Sequence, residues 1–291
     1  MITPQTEHPE LARAIGVPRL FLKREDLHPY GSHKGRSIPV MIDAHTTEGA
    51  KDFIISGSGN AALAAVRHIQ KLNTGGAGLS LLILVGTRMN TEKRRTLVNE
   101  IKDRRIIIKE TADPLRTLFQ VTKEEGKTSL RQSTDDLALI GYESLAEEIE
   151  ETPELSAVFV GASSGTAAQA LADYFAADNK GTAIHIVQTT NTSPIAREFE
   201  STESSTEPSL ADAIVDKIAH RKNALVDVVR KTNGSGHVAT NDDIRKAQKL
   251  IKDKADIDVT GNGALGVAGL IHALSHGAKF TGSVVCIITG K

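Results

Sequence analysis

Short, unbroken apolar runs, several leading into Gly/Ser turns and then helical stretches, recur along this chain and leave few folds open to it. The runs cover 20–23, 52–55, 81–85, 106–108, 157–160, 183–187 and 283–288, and helical patterns follow at 60–72, 92–101 and 166–177. A strand with one face in water alternates apolar and polar residues; these do not. They are the signature of strands buried on both faces, parallel to one another and covered by crossover helices. The spacing therefore predicts an α/β protein. At 291 residues the chain is long enough for one large α/β domain or two ordinary lobes. Linker-like composition is scarce, so interleaved lobes are expected rather than domains in tandem. The exception is the acidic, Ser/Thr-rich stretch 198–208, which reads as an exposed loop or mobile flap.

Charge narrows the partners. Lys and Arg number 35 against 36 Asp and Glu, a formal charge of −1, so the basic field of a duplex-DNA binder is missing. Aromatic residues make up 3% and Trp is absent, which removes the stacking platforms of a single-strand binder. Nucleic acid is thus not an expected partner. The longest apolar stretch, 79–85, is too short to span a bilayer, so no membrane role is expected either. The first residues carry no basic segment followed by an apolar one, and the cytoplasm is the expected location. The one cysteine, Cys286, lies inside an apolar run and reads as a small core residue.

Chemistry concentrates in a few turns. Lys34 stands in Gly31-Ser32-His33-Lys34-Gly35-Arg36, a setting that can hold a lysine near-extended and partly desolvated. Such an amine loses its preference for the charged form and becomes a nucleophile suited to Schiff-base chemistry. Ser56-Gly57-Ser58-Gly59-Asn60 follows one strand and opens an alanine-rich helix. Its glycines admit a ligand close to the backbone, and the helix N-terminus offers N–H groups to a carboxylate or phosphate. The same loop also fits the dinucleotide fingerprint G-x-G-x-x-A through Ala62, with Arg88 after the next strand to suit NADP. Gly161-Ala162-Ser163-Ser164-Gly165-Thr166 repeats the strand–turn–helix design and would cradle a phosphate without a cation. Thr289 ends the last strand, where a hydroxyl points into the crevice in which α/β ligands bind. Any one of these loops is also an ordinary βα turn; their combination with Lys34 is what carries weight.

Together these segments resemble the fold type II pyridoxal-phosphate enzymes, the group of tryptophan synthase β, threonine synthase and cysteine synthase. The stretch 22–34 is similar to the family's cofactor-lysine region, 56–62 to its substrate-carboxylate loop, and 141–149 to the return from its small domain. The 161–166 loop lies where the family binds cofactor phosphate, and 238–244 and Thr289-Gly290 also fall in family order. The resemblance implies two interleaved three-layer αβα lobes with mostly parallel sheets. It implies a large cofactor-binding domain of 1–45 and 138–291 and a small mobile domain of 46–137. It implies pyridoxal 5′-phosphate bound by Lys34, His33, Asn60, Gly161, Ser163, Ser164, Gly165, Thr166 and Thr289. Lys34 would be the catalytic residue, carrying the cofactor as a Schiff base and shuttling the α-proton. Ser56, Gly57, Ser58, Gly59 and Asn60 would bind substrate. A hydroxyl at Thr289 does not hold the ring nitrogen protonated, which favours elimination and replacement at the β- or γ-carbon over transamination.

The expected function is a pyridoxal-phosphate-dependent lyase or synthase for a small amino acid, of threonine synthase, serine/threonine dehydratase or cysteine synthase type, acting as a homodimer. The alternatives are an NADP-dependent oxidoreductase using the Gly57 loop, and a catalytically silent relative of the same fold. Val259-Thr260-Gly261-Asn262-Gly263-Ala264 departs from the Glu-Pro-Ser-Gly-Ala of dehydratases and threonine synthases, leaving the substrate open. No metal is expected: His272 and His276 stand four apart on a helix, but without a third ligand they read as a solvated helix end.

Overall fold

A computed structural model of the chain describes every residue except Met1, Ser58, Arg88, Asn90, Asn179 and Lys291. From the N-terminus the elements are β1 (Gln5–Glu7), α1 (Pro9–Ile15), β2 (Arg19–Arg24), α2 (Lys34–Thr47), β3 (Asp52–Ser56), α3 (Asn60–Thr74) and β4 (Ser80–Gly86). There follow α4 (Thr91–Glu100), β5 (Ile106–Thr111), α5 (Pro114–Glu125), β6 (Thr128–Ser129), α6 (Leu137–Ile140), α7 (Glu143–Glu150) and β7 (Leu155–Gly161). The chain continues through α8 (Thr166–Asp178), β8 (Ala183–Thr189), α9 (Lys222–Lys231), β9 (Ser235–Ala239), α10 (Asn241–Ala255), α11 (Gly261–Ser275) and β10 (Ser283–Ile288). Each apolar run expected to be a strand lies in one. No helix among the described residues is long and apolar enough to cross a membrane.

The chain forms two compact units, one of residues 1–28 with 142–291 and a smaller one of 29–141. The boundaries expected at 45/46 and 137/138 lie inside the smaller unit, because α2 and α6 pack with it. Ile38, Met41 and Ile42 of α2 and Ala138 of α6 share a core with Phe53, Ile55 and α3.

The larger unit carries a six-stranded sheet in the order β1-β2-β10-β7-β8-β9. Only β1 runs antiparallel to its neighbour; the remaining pairs are parallel. One face, with Leu20, Leu22, Phe159, Val187, Val284 and Cys286, joins α1, α10 and α11 in a single core. Residues of the other parity, such as Val158, Val160, Val285 and Ile287, are equally buried, because alternate side chains of a strand point to the opposite face. Burial of both faces is what made these strands read as unbroken runs. Cys286 is fully buried among them, and that burial pushes its thiol pKa up.

The smaller unit has a four-stranded, all-parallel sheet in the order β5-β4-β3-β6. Helices α2, α3 and α4 cover one face through Met41, Ala65, Ile69 and Leu97. Helix α5 covers the other, where Leu118 and Val121 meet Ile54 and Leu84. Both units are thus αβα layers, as expected.

Candidate active site

In the smaller unit, Lys34 opens α2. Its backbone N–H donates to the hydroxyl of Ser32 at 3.3 Å, and its half-buried side chain donates from Nζ to Gln132 Oε1 at 2.7 Å. Gln132 is buried and sits in the turn after β6. Because β6 runs parallel to β3 with Ile54 opposite Ser129, that turn leaves the sheet at the same edge as Ser56. Lys34, through Gln132, and the Ser56 loop therefore belong to the carboxyl edge of one parallel sheet, where ligands of open α/β sheets bind. His33, half-buried, precedes the helix.

The loop itself turns on Gly57, whose φ of +116° is open to glycine and strained for other residues. Its N–H donates to Leu84 O at 2.8 Å. A Cβ built on Gly57 or Gly59 would meet no atom within 4 Å, so this side of the loop faces open space. Asn60 is half-buried at the first position of α3. Ser58, expected to bind substrate, lies outside the described residues, as does Arg88.

In the larger unit, Gly161 ends β7 and Thr289 follows β10. Cys286 stands opposite Phe159 in the register of these neighbouring parallel strands, so both residues lie at the carboxyl edge. Between Gly161 and α8, Gly165 takes a φ of +85°, and a Cβ there would stand 2.6 Å from Leu225 Cδ2. The turn favours glycine on both counts. Beyond it the first N–H groups of α8 have no acceptor within the helix. Ser164 and Thr166 share a hydroxyl contact of 3.0 Å.

Ser163 does something the sequence did not suggest. Its hydroxyl donates to Asp216 Oδ2 at 2.7 Å and accepts from the N–H groups of Val215 and Asp216 at 3.0 and 3.2 Å. The same segment is tied to α11: Asn262 Nδ2 donates to Asp212 Oδ1 and Asn262 Oδ1 accepts from Ala213 N, both at 2.9 Å. Thr289 Oγ1 donates to Asn262 O at 3.4 Å. Ser163, Asp216, Asp212, Asn262 and Thr289 are thus linked through the 212–216 segment. Asp212, Asp216 and Gln132 lie outside the helices and strands that periodicity can reveal.

The sequence profile described as "Pyridoxal-phosphate dependent enzyme" matches residues 2–290. The chain belongs to that family. Its cofactor is pyridoxal 5′-phosphate, and it resembles a threonine synthase from Synechocystis sp., 24% identical over 99% of this chain and 76% of the relative. It resembles a mouse L-serine dehydratase/L-threonine deaminase at 26% identity, over 52% of this chain and 44% of that protein. Among solved structures, a processed threonine deaminase isoform 2 from Solanum lycopersicum superposes with a TM-score of 0.82. It is 20% identical, with 99% of this chain and 78% of that one covered. Maize serine racemase superposes at 0.81, also 20% identical, covering 99% and 87%. These neighbours share the fold expected from the resemblance.

The residues suit a pyridoxal-phosphate enzyme. The Gly165 turn takes a left-handed φ that favours glycine and leads into helix N–H groups, as a phosphate requires, and a half-buried lysine stands at a carboxyl edge. Membership of the family displaces the NADP reading. Topology alone does not, since the order β5-β4-β3-β6 is also that of half a dinucleotide-binding sheet.

A second cluster corrects the sequence reading of α11. His272 is not on a solvated helix end: its Nε2 lies 3.1 Å from Glu200 Oε2 and its Nδ1 4.0 Å from Asp243 Oδ2. His237 of β9 brings Nδ1 to 4.0 Å from the same Glu200 oxygen, while its Nε2 lies 3.0 Å from Nδ1 of His185. Burial holds the His185 and His237 pKa values down, to about 3 and about 4. The Glu200 hydrogen bond raises that of His272. Burial alone would raise the Glu200 carboxyl, but its bonds to His272 and the Val238 N–H outweigh this and keep it low. Glu200 also shows that 198–208 is not wholly a solvated flap. His276 is exposed, and its ring lies 4.2 Å from that of His272.

Proposed function

We propose that this protein is a lyase or synthase that removes or replaces a group at the β- or γ-carbon of a small amino acid. Threonine synthase and serine/threonine dehydratase are the types closest to this reading. The observation that carries it is the 2.7 Å bond from Lys34 Nζ to Gln132, at a carboxyl edge, in a chain that aligns along its length with a threonine synthase. Bound pyridoxal phosphate supplies a sink for the electron pair left when the α-proton departs.

The chain's own residues do the rest. Lys34 would be the covalent attachment point, and its Nζ, steered by Gln132, would take the α-proton and pass it on, to the leaving group in an elimination or back to the substrate in a replacement. The Ser56–Asn60 loop receives the substrate carboxylate on backbone N–H groups, and Asn60 also hydrogen-bonds the cofactor's ring oxygen. Gly161, Ser163, Ser164, Gly165 and Thr166 hold the phosphate at the start of α8, with His33 beside it, and Asp216 fixes the Ser163 side of the cradle. Thr289 offers a hydroxyl to the ring nitrogen, weakening the electron sink and so favouring loss of a β- or γ-substituent. In a dehydratase the product leaves as a 2-oxo acid with ammonia; in a synthase a nucleophile takes the vacated position. The reading includes a homodimer in the cytoplasm, with the smaller unit, expected as 46–137 and compact over 29–141, as the mobile domain.

The test is spectroscopic and chemical. Purified protein should carry a visible yellow band that is lost in Lys34→Ala. Incubation with serine, threonine, O-acetylserine and O-phosphohomoserine should yield a 2-oxo acid or a substituted amino acid. Formation of the D-enantiomer alone would make the protein a racemase and overturn the proposal. So would a yellow band that survives in Lys34→Ala.

A further inference from the structure

Glu200, His237 and His272 bring one carboxylate oxygen and two ring nitrogens within 4.8 Å of one another. The cluster sits at β9, the outermost strand, three places from β10 in the sheet order. At the usual strand spacing that is roughly 14 Å from the strand that ends at Thr289 and roughly 10 Å from β7, which leads into the Gly165 turn. None of the three residues is among those assigned to the cofactor, and the proposed reaction makes no use of them.

We propose that Glu200, His237 and His272 form a binding site for a divalent transition-metal ion of the zinc class, with water in the remaining position. Two imidazoles and one carboxylate are a recognised zinc donor set, and such a set leaves a tetrahedral ion one open position. Ligands about 2.1 Å from a tetrahedral ion stand roughly 3.4 Å apart. The Glu200 oxygen stands 3.1 Å from His272 Nε2 and 4.0 Å from His237 Nδ1, and the three ligand atoms lie within 4.8 Å of one another, so His237 must close in by roughly 0.6 Å or more to share an ion.

One outer partner is also in place. Metal-bound imidazoles characteristically use their second nitrogen in a hydrogen bond that fixes ring and tautomer. His237 directs Nε2 to His185, 3.0 Å away, and stacks with it, whereas His272 Nδ1 stands 4.0 Å from Asp243, beyond hydrogen-bond reach. When His237 donates from Nε2, the lone pair of Nδ1 faces the cluster. The three ligands come from three separate segments: the chain beyond β8, edge strand β9 and helix α11. An ion would join them at the root of 201–208, acting as a clasp rather than as a reagent.

The experiment is a calorimetric titration of chelator-treated holoprotein with Zn2+ alone. One ion should bind per chain with micromolar affinity or tighter. Affinity should fall about 100-fold or more in Glu200→Gln and in His272→Gln, but stay unchanged in His276→Gln. Amide exchange across 198–208 should slow on addition of zinc. In the unmodified protein zinc should also shield His272 from diethyl pyrocarbonate, a readout that does not depend on how well a variant folds. Absence of stoichiometric binding overturns the site, as does parental affinity retained in both ligand variants or carbethoxylation of His272 that zinc leaves unaltered.

Discussion

Lys34 Nζ donates a 2.7 Å hydrogen bond to Gln132 Oε1, a partner 98 positions further along the chain. The amine of the proposed active site is thus aimed by a buried amide rather than left to sample rotamers in water. A net hydrogen bond of a neutral amine contributes about 0.5–1.5 kcal/mol. Gln132→Ala, which removes that bond, should therefore slow cofactor attachment about 2- to 10-fold, each tenfold corresponding to about 1.4 kcal/mol. Stopped-flow growth of the yellow band on adding pyridoxal phosphate measures this, and an unchanged rate would remove Gln132 from the mechanism.

The Gly165 turn should tolerate a side chain poorly. Its φ of +85° costs an alanine about 1–2 kcal/mol, and the tip of Leu225, 2.6 Å from the added Cβ, would have to move aside. Gly165→Ala should lower the urea midpoint accordingly and weaken cofactor retention on dialysis. A variant as stable and as yellow as the parent would mean that the turn adapts and that its geometry is not what holds the phosphate.

Lys23 presents a different vulnerability. It is 1% exposed, and its Nζ donates to the Glu148 carboxylate and, at 3.0 Å, to Thr3 O. Removing one partner of a buried ion pair strands the other charge, at about 3–5 kcal/mol. Glu148→Gln should destabilise the protein on that scale in equilibrium unfolding, whereas the exposed pair Arg245–Asp242 should change stability by less than about 1 kcal/mol when broken.

Cys286 gives a probe of integrity. Its thiol is fully buried and burial pushes its pKa up, so the reactive thiolate is scarce as well as shielded. A disulfide reagent should leave the folded protein unmodified and label one thiol per chain in denaturant. Rapid labelling without denaturant would show that the larger sheet opens locally.

Most strands that could be read from sequence are buried on both faces; edge strand β5, with Ile107 58% exposed, was legible from its run of isoleucines alone. Those missed had other constraints. Gln5-Thr6-Glu7 is a short antiparallel edge, and Thr128-Ser129 has only two residues. In β9, Gly236 stands where a Cβ would come 2.7 Å from Ala196 Cα, so close packing there replaced the usual β-branched composition. The proposed site divides in the same way. Lys34, the Gly57 loop and the Gly165 turn announce themselves because glycine and serine mark a βα turn. Gln132 and Asp216 do not, since their roles depend on partners 98 and 53 positions away. The pairing of His272 with Glu200, 72 positions apart, was hidden for the same reason.

The place of β10 between β2 and β7 has a consequence for how the protein is made. Synthesis delivers β2 first and β7 much later, yet neither can gain its neighbour until residues 283–288 arrive. Until then the larger sheet exists as two fragments with facing, unpaired edges, a condition that invites mispairing in partly made chains. The growing chain therefore closes its larger unit from the outside inward. Loss of residues 283–288 would leave the sheet split at its middle instead of trimmed at its end.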